Sequence, residues 1–84
     1  MTNDATCKHL NTALQMEMTA AHQYQLHAHV LEDWGLDKLA QTMRGEFEEE
    51  LVHSGRFMAR ILELGGEPEV AFAATPKVSK TLKE

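Results

Sequence analysis

At 84 residues and 9.5 kDa the chain makes one domain at most and is too short to enclose a sizeable core alone, so association is expected. Eight Lys and Arg against thirteen Asp and Glu leave a net charge of −5, the wrong sign for a phosphate-backbone binder, which excludes nucleic acid as a partner. No apolar run reaches membrane-spanning length, the first eight residues hold no secretory core, and the single cysteine, Cys7, forbids an intrachain disulfide; the expectation is a soluble, unprocessed, cytoplasmic protein with a surface thiol.

From about residue 6 to 34 there is no Pro or Gly, and Leu10, Leu14, Glu17, Ala21, Tyr24, Ala28 and Leu31 recur at alternating steps of four and three. That alternation is one stripe of one helix. Asp4 or Thr6 is the expected N-cap, and Trp34-Gly35 the stop, with Gly35 suited to the left-handed conformation at a helix C-terminus. A second stretch, from about Leu36 to Leu64, repeats the pattern with Met43, Phe47, Glu50, Ser54, Phe57, Ile61 and Leu64, and Gly65-Gly66-Glu67-Pro68 ends it. Gly45 and Gly55 lie inside this helix, where close approach of another helix would be a reason to keep them.

The short turn at Gly35 makes the two helices antiparallel neighbours, so residues 1–66 form a helical hairpin. Residues 67–84 have no sustained period and contain Pro68 and Pro76. They are expected to be extended, long enough at ~3.3 Å per residue to cross a bundle, with one short terminal turn over 76–84.

Both stripes carry charge at a core position. An unpartnered carboxylate is costly to bury, whereas coordination to a divalent metal removes the cost. Glu17 falls between Leu14 and Ala21, and Glu50 between Phe47 and Ser54. Glu49 lies about 100° off that face, so the register selects Glu50. Glu50 and His53, three apart, are neighbours on a helix and can offer an oxygen and an imidazole nitrogen to one ion. Carboxylates with one His per metal suit iron or manganese, whereas structural zinc more often recruits Cys.

On spacing alone a Glu-x-x-His pair on an acidic helix is more often a solvated face than a metal site, and Glu46-Phe47-Glu48-Glu49-Glu50 reads equally as a plain charged run. His9, His22, His27 and His29 are expected at the surface or an interface; His29 and Asp33 have metal-compatible spacing but sit at a helix end. Tyr24, one heptad after Glu17, is placed either to hydrogen-bond a metal-bound carboxylate or simply to pack its ring. Met16, Met18, Met43 and Met58 read as core or interface filler. Three ligands, Glu17, Glu50 and His53, are half of a six-ligand centre that takes one Glu from each of two helices and a Glu-x-x-His pair from each of two others in a four-helix bundle.

Leu14 to Tyr24 (Leu-Gln-Met-Glu-Met-Thr-Ala-Ala-His-Gln-Tyr), Leu26 to Ala28, Trp34-Gly-Leu36, Glu50-Leu-Val-His53 and Arg60 to Pro68 together resemble the first two helices of bacterioferritin, over about residues 4–70. The resemblance implies that Glu17 is a terminal carboxylate ligand, Glu50 the bridging carboxylate, His53 the imidazole ligand and Tyr24 the neighbouring tyrosine of a di-iron ferroxidase centre. It further implies ferrous iron oxidised by dioxygen or peroxide and stored as ferric mineral. Leu51 occupies the position of the family's haem-ligating methionine, so haem is not expected. Gly45 replaces a histidine that many members use for iron on the inner surface, although Glu49 keeps an acidic group nearby. Helices three and four and the short terminal helix are missing, so a 24-subunit cage is not expected either; encapsulated ferritins, whose short two-helix chains dimerise around their iron, are a related architecture.

The sequence thus predicts an all-α fold, an antiparallel hairpin that dimerises into a ferritin-like four-helix bundle with an extended C-terminal segment. The two Glu17, Glu50 and His53 sets meet across a two-fold axis, with higher oligomers and an enclosing shell as further partners. Two other readings stay open: a metal-binding module without turnover, and one half of a split or truncated bacterioferritin that needs a partner chain.

Overall fold

The chain turns back on itself at Gly35, whose φ of 78° lies in the left-handed region that a side chain resists. Leu36 N donates to Leu31 O (2.9 Å) and Gly35 N to Glu32 O (2.9 Å), the paired bonds that satisfy the last carbonyls of a helix ending on glycine. The same device recurs at the end of the second helix. Gly65 has φ 80°, Gly66 N donates to Ile61 O (3.0 Å) and Gly65 N to Leu62 O (3.1 Å).

The computed structural model describes residues 3–75. Within them are two helices, α1 (Asn3–Asp33) and α2 (Asp37–Glu63), of 31 and 27 residues, packed side by side and antiparallel. The expected N-cap is corrected: Asp4 and Thr6 both lie inside α1. Asp4 instead places an acid in the first turn, where the helix dipole favours it. The short turn expected over 76–84 falls outside the described residues. No helix among the described residues is long and apolar enough to cross a membrane.

The seam between the helices follows the two stripes, with Ala40, outside the stripe read from the sequence, buried in it and Met43, Phe47, Phe57 and Leu64 only half-buried. Leu14, Ala21, Ala28 and Leu31 of α1 close against Ala40, Ser54 and Ile61 of α2, all buried. Alanine at three of these positions lets the backbones approach, and Leu14 and Ile61, fully enclosed, supply the bulk. Ser54 is tolerated there because its hydroxyl donates back to Leu51 O at 2.7 Å. Arg44 and Glu32 pair across the turn end of the hairpin. Gly45 and Gly55 are exposed, and a Cβ at either would meet nothing within 4 Å. Within the described residues no helix approaches them.

After Gly66 the chain runs back beside α1 as a strap, and a row of polar side chains on that helix holds it. Asn11, only 7% exposed, donates to Glu67 O (3.0 Å) and accepts from Glu69 N (2.7 Å). Gln15 donates to Glu69 O (3.4 Å). Thr19 Oγ1 accepts from Ala73 N (2.8 Å) and donates to Gln15 O (2.9 Å). His22 lies edge-on to both Phe72 of the strap, 5.1 Å between ring centroids, and Phe47 of α2, 6.1 Å. The strap therefore follows one edge of α1 in the direction of the helix.

Candidate metal centre

Glu17 reaches the site from the middle of α1, while Glu50 and His53 reach it from α2 one turn apart. Because the helices are antiparallel and in register at Leu14, Ala21 and Ser54, the three side chains converge, with one ligand atom from each lying within 4.8 Å of the others. His53 Nδ1 stands 3.4 Å from Glu50 Oε1 and 3.7 Å from Glu17 Oε2. These separations exceed good hydrogen bonds and leave room between the donors for an ion. The side chains of Glu17 and Glu50 are 25% and 19% exposed, that of His53 45%. The group is thus walled by the hairpin on one side and open on the other.

One atom tests whether the residues fit a metal. Glu17 Oε2 is sealed from solvent and has no hydrogen-bond partner among the described residues, a state that costs a buried polar atom roughly 1–3 kcal/mol unless something binds it. Two carboxylates and an imidazole converging on a partly enclosed point form a donor set for a hard-to-intermediate divalent cation such as iron or manganese. The same crowding acts on protons. Glu17 is pushed above its ordinary value of 4.5, first because its carboxyl faces that of Glu50 at hydrogen-bonding range, then through burial and the Glu50 charge, with His53 pulling the other way. A cation entering the group relieves that repulsion.

The remaining candidates separate from this cluster. Tyr24 is half-buried and forms no hydrogen bond among the described residues. His9, His29 and Asp33 are exposed. His27 is half-buried beside Gln23, with 2.9 Å between Nε2 and Gln23 Nε2. His22 donates from Nδ1 to Met18 O (2.9 Å) and packs on the strap. Met18 and Met43 are half-buried, whereas Met16 is 61% exposed beside Glu17. The row Asn11, Gln15, Thr19 and His22 is legible as polar residues at steps of four, four and three, but nothing local in the sequence tells what they bind.

Comparison with known proteins places these residues in context. The ferritin-like domain of the ferritin family matches residues 7–84. The chain is 48% identical over 61 residues to bacterioferritin of Rhodobacter capsulatus, covering 73% of this chain and 38% of the relative. It is 39% identical over 71 residues to a bacterial ferritin of Neisseria meningitidis serogroup B, covering 84% and 46%. A solved structure of the R. capsulatus bacterioferritin, described as having a metal-free dinuclear site and haem iron in a crystallographic special position, superposes with TM-score 0.86 at 39% identity. That match takes in 93% of this chain and 49% of that one. The chain thus spans half or less of the length of these relatives.

Proposed function

This chain belongs to the ferritin family, and from that premise we propose that it supplies half of a di-iron ferroxidase centre for iron storage, completed by a second copy of the hairpin. The observation that carries the reading is the convergence of Glu17, Glu50 and His53 around a carboxylate oxygen that has no hydrogen-bond partner among the described residues. Three donors leave a metal half-coordinated. A two-fold axis beside them presents the same three again, with the pair of hairpins forming the four-helix bundle on which such centres are built.

In this reading iron is the substrate. Glu17 and His53 of one copy would hold one ferrous ion, the matching pair of the other copy the second, and the two Glu50 carboxylates would lie between them. Two ferrous ions each give up one electron, and dioxygen with two protons accepts both to leave hydrogen peroxide and two ferric ions. The protein holds the ions side by side, so that both electrons leave together, and it surrounds them with carboxylates, which favour the higher charge. His53 must offer Nδ1 unprotonated, and both carboxylates must be ionised to take iron. Tyr24, one heptad beyond Glu17, would serve as the neighbouring tyrosine only if the completed centre brings its hydroxyl to a ligand carboxylate. Haem has no place in this reading, because Leu51, 38% exposed, carries no atom able to ligate iron.

Anomalous diffraction at the iron edge, from crystals soaked anaerobically in ferrous salt, tests the site. Two peaks related by a two-fold axis, each against Glu17 and His53 of one chain, are expected. A single peak on a solvent-facing half-site would overturn the shared centre. Aerobic ferrous oxidation tests turnover: ferric absorbance that keeps growing beyond two irons per pair marks a ferroxidase, and saturation at two marks a carrier. A second reading, one half of a split or truncated bacterioferritin that needs a partner chain, predicts that the purified chain stays single and retains metal poorly.

A further inference from the structure

We propose, resting on the reading of Glu17, Glu50 and His53 as half of a shared centre, that His22 is a positioning residue of that centre: its ring, held by Phe72 of the strap, sets the spacing of α1 and α2 beside the ligands.

The seam by itself leaves that spacing open on one side of Glu17. Three residues before Glu17, Leu14 fills the seam with bulk; four residues after it stands Ala21, fully enclosed and carrying only a methyl group. At Ala21 the helices can close until something larger stops them. The next side chain round α1 is that of His22, and it meets Phe47 of α2 with ring centroids 6.1 Å apart and planes at 73°. Such an edge-to-face contact is favourable and has a definite separation.

Both ends of the contact are tied to backbone that carries ligands. His22 is fixed in orientation because Nδ1 donates to Met18 O (2.9 Å), the carbonyl of the residue after Glu17. Phe47 precedes Glu50 by three residues, ~4.5 Å along α2, and His22 follows Glu17 by five, ~7.5 Å along α1. A shift in helix spacing at the ring pair therefore reaches both carboxylates within about a turn and a half. Side chains that never touch a metal govern its affinity in this way, by fixing where its ligands stand.

The strap completes the arrangement. Phe72 lies edge-on to His22, 5.1 Å between centroids and 63° between planes. Beside it, Ala73 N donates to Thr19 Oγ1 (2.8 Å), one turn before His22 on the same side of α1, which anchors the strap where Phe72 stays against the imidazole. The strap thus acts on the centre through His22 without contributing a ligand.

Cobalt(II) titrated into the full chain tests this, because its visible absorption reports how its donors are arranged and it accepts the same oxygen and nitrogen donors as ferrous iron. His22→Ala should bind cobalt on the order of 10-fold more weakly than the wild type, with an altered band shape at saturation, and Phe72→Ala should change both in the same direction by less. Phe72→Ala alters only the strap, so it decides the matter if His22→Ala fails to fold. His22→Phe and Phe72→Tyr, which keep a ring in place, should stay close to the wild type. Val70→Ala, at a strap residue 60% exposed, should match it. Wild-type affinity and band shape in both alanine variants, or a loss in Val70→Ala equal to that in Phe72→Ala, would overturn the inference and leave the centre standing. A wild-type chain that binds no cobalt, or whose cobalt spectrum survives Glu50→Ala unchanged, would overturn the centre itself and this inference with it.

Discussion

Replacing Glu17 by Gln keeps the shape of the side chain and removes its charge, so it isolates what the unpartnered carboxylate costs the hairpin before metal arrives. The Gln amide meets the same sealed position as Oε2, so what the variant removes is the charge, which burial and the facing Glu50 carboxylate oppose. The side chain as a whole is 25% exposed, so water screens part of that charge and the gain is about 1 kcal/mol. For a domain of this length that is a rise in Tm of roughly 4–8 °C for Glu17→Gln in chelator at neutral pH. The pH dependence has a fixed sign. The folded-state pKa of Glu17 is raised above 4.5, so the stability conferred by its proton is fully present below about 4.5 and is lost as pH rises through the folded value. The advantage of the variant should accordingly vanish in acid, where wild-type Glu17 is also neutral, and grow towards a plateau as pH rises. Manganese should reverse the order, because only the wild type gains a ligand. Thermal unfolding by circular dichroism between pH 4 and 8, with chelator and with manganese, measures all three. A variant less stable than the wild type in chelator at neutral pH, or one that gains as much from manganese, would refute the assignment of Glu17 as a carboxylate held in readiness for a cation.

Glu50→Ala should abolish paired-metal binding while Glu49→Ala, changing an exposed neighbour, leaves it largely intact; metal counted per chain after desalting decides, and equal losses would mean the helical register is misassigned. Asn11→Ala removes both bonds that pin Glu67 and Glu69, worth about 1–3 kcal/mol together, and should strip the Glu69 amide of its protection in hydrogen exchange; unchanged protection would show that the strap is held elsewhere. Gly66→Ala would place a Cβ 2.7 Å from Cys7 Sγ and 3.2 Å from Ile61 Cγ2. That overpacking should cost about 1–3 kcal/mol in urea unfolding, of which Cys7→Ala recovers only part, since Cys7 Cβ lies at 3.3 Å; no loss in the single variant would contradict the close packing of this turn on α1.

The hairpin was legible in the sequence because its information is local. Alternating steps of four and three place Leu14, Ala21 and Ala28 on one face whatever surrounds them, and Gly35 and Gly65 mark positions where only a residue free to take positive φ ends a helix cheaply. Glu17 and Glu50 were legible as candidates for the same reason, since a carboxylate in the middle of an apolar stripe announces itself by periodicity, and His53 through its three-residue spacing from Glu50. The N-cap was not, since Asp4 and Thr6 suit the interior of a first turn as well as its edge, and propensity alone does not choose between them. Tertiary structure decided what depends on distance across the fold. It alone set how closely the three ligands converge, left Glu17 Oε2 without a partner, and laid Glu67 to Ala74 along Asn11, Gln15 and Thr19, because a side chain that bonds a backbone more than fifty residues away carries no sign of its partner in its own neighbourhood.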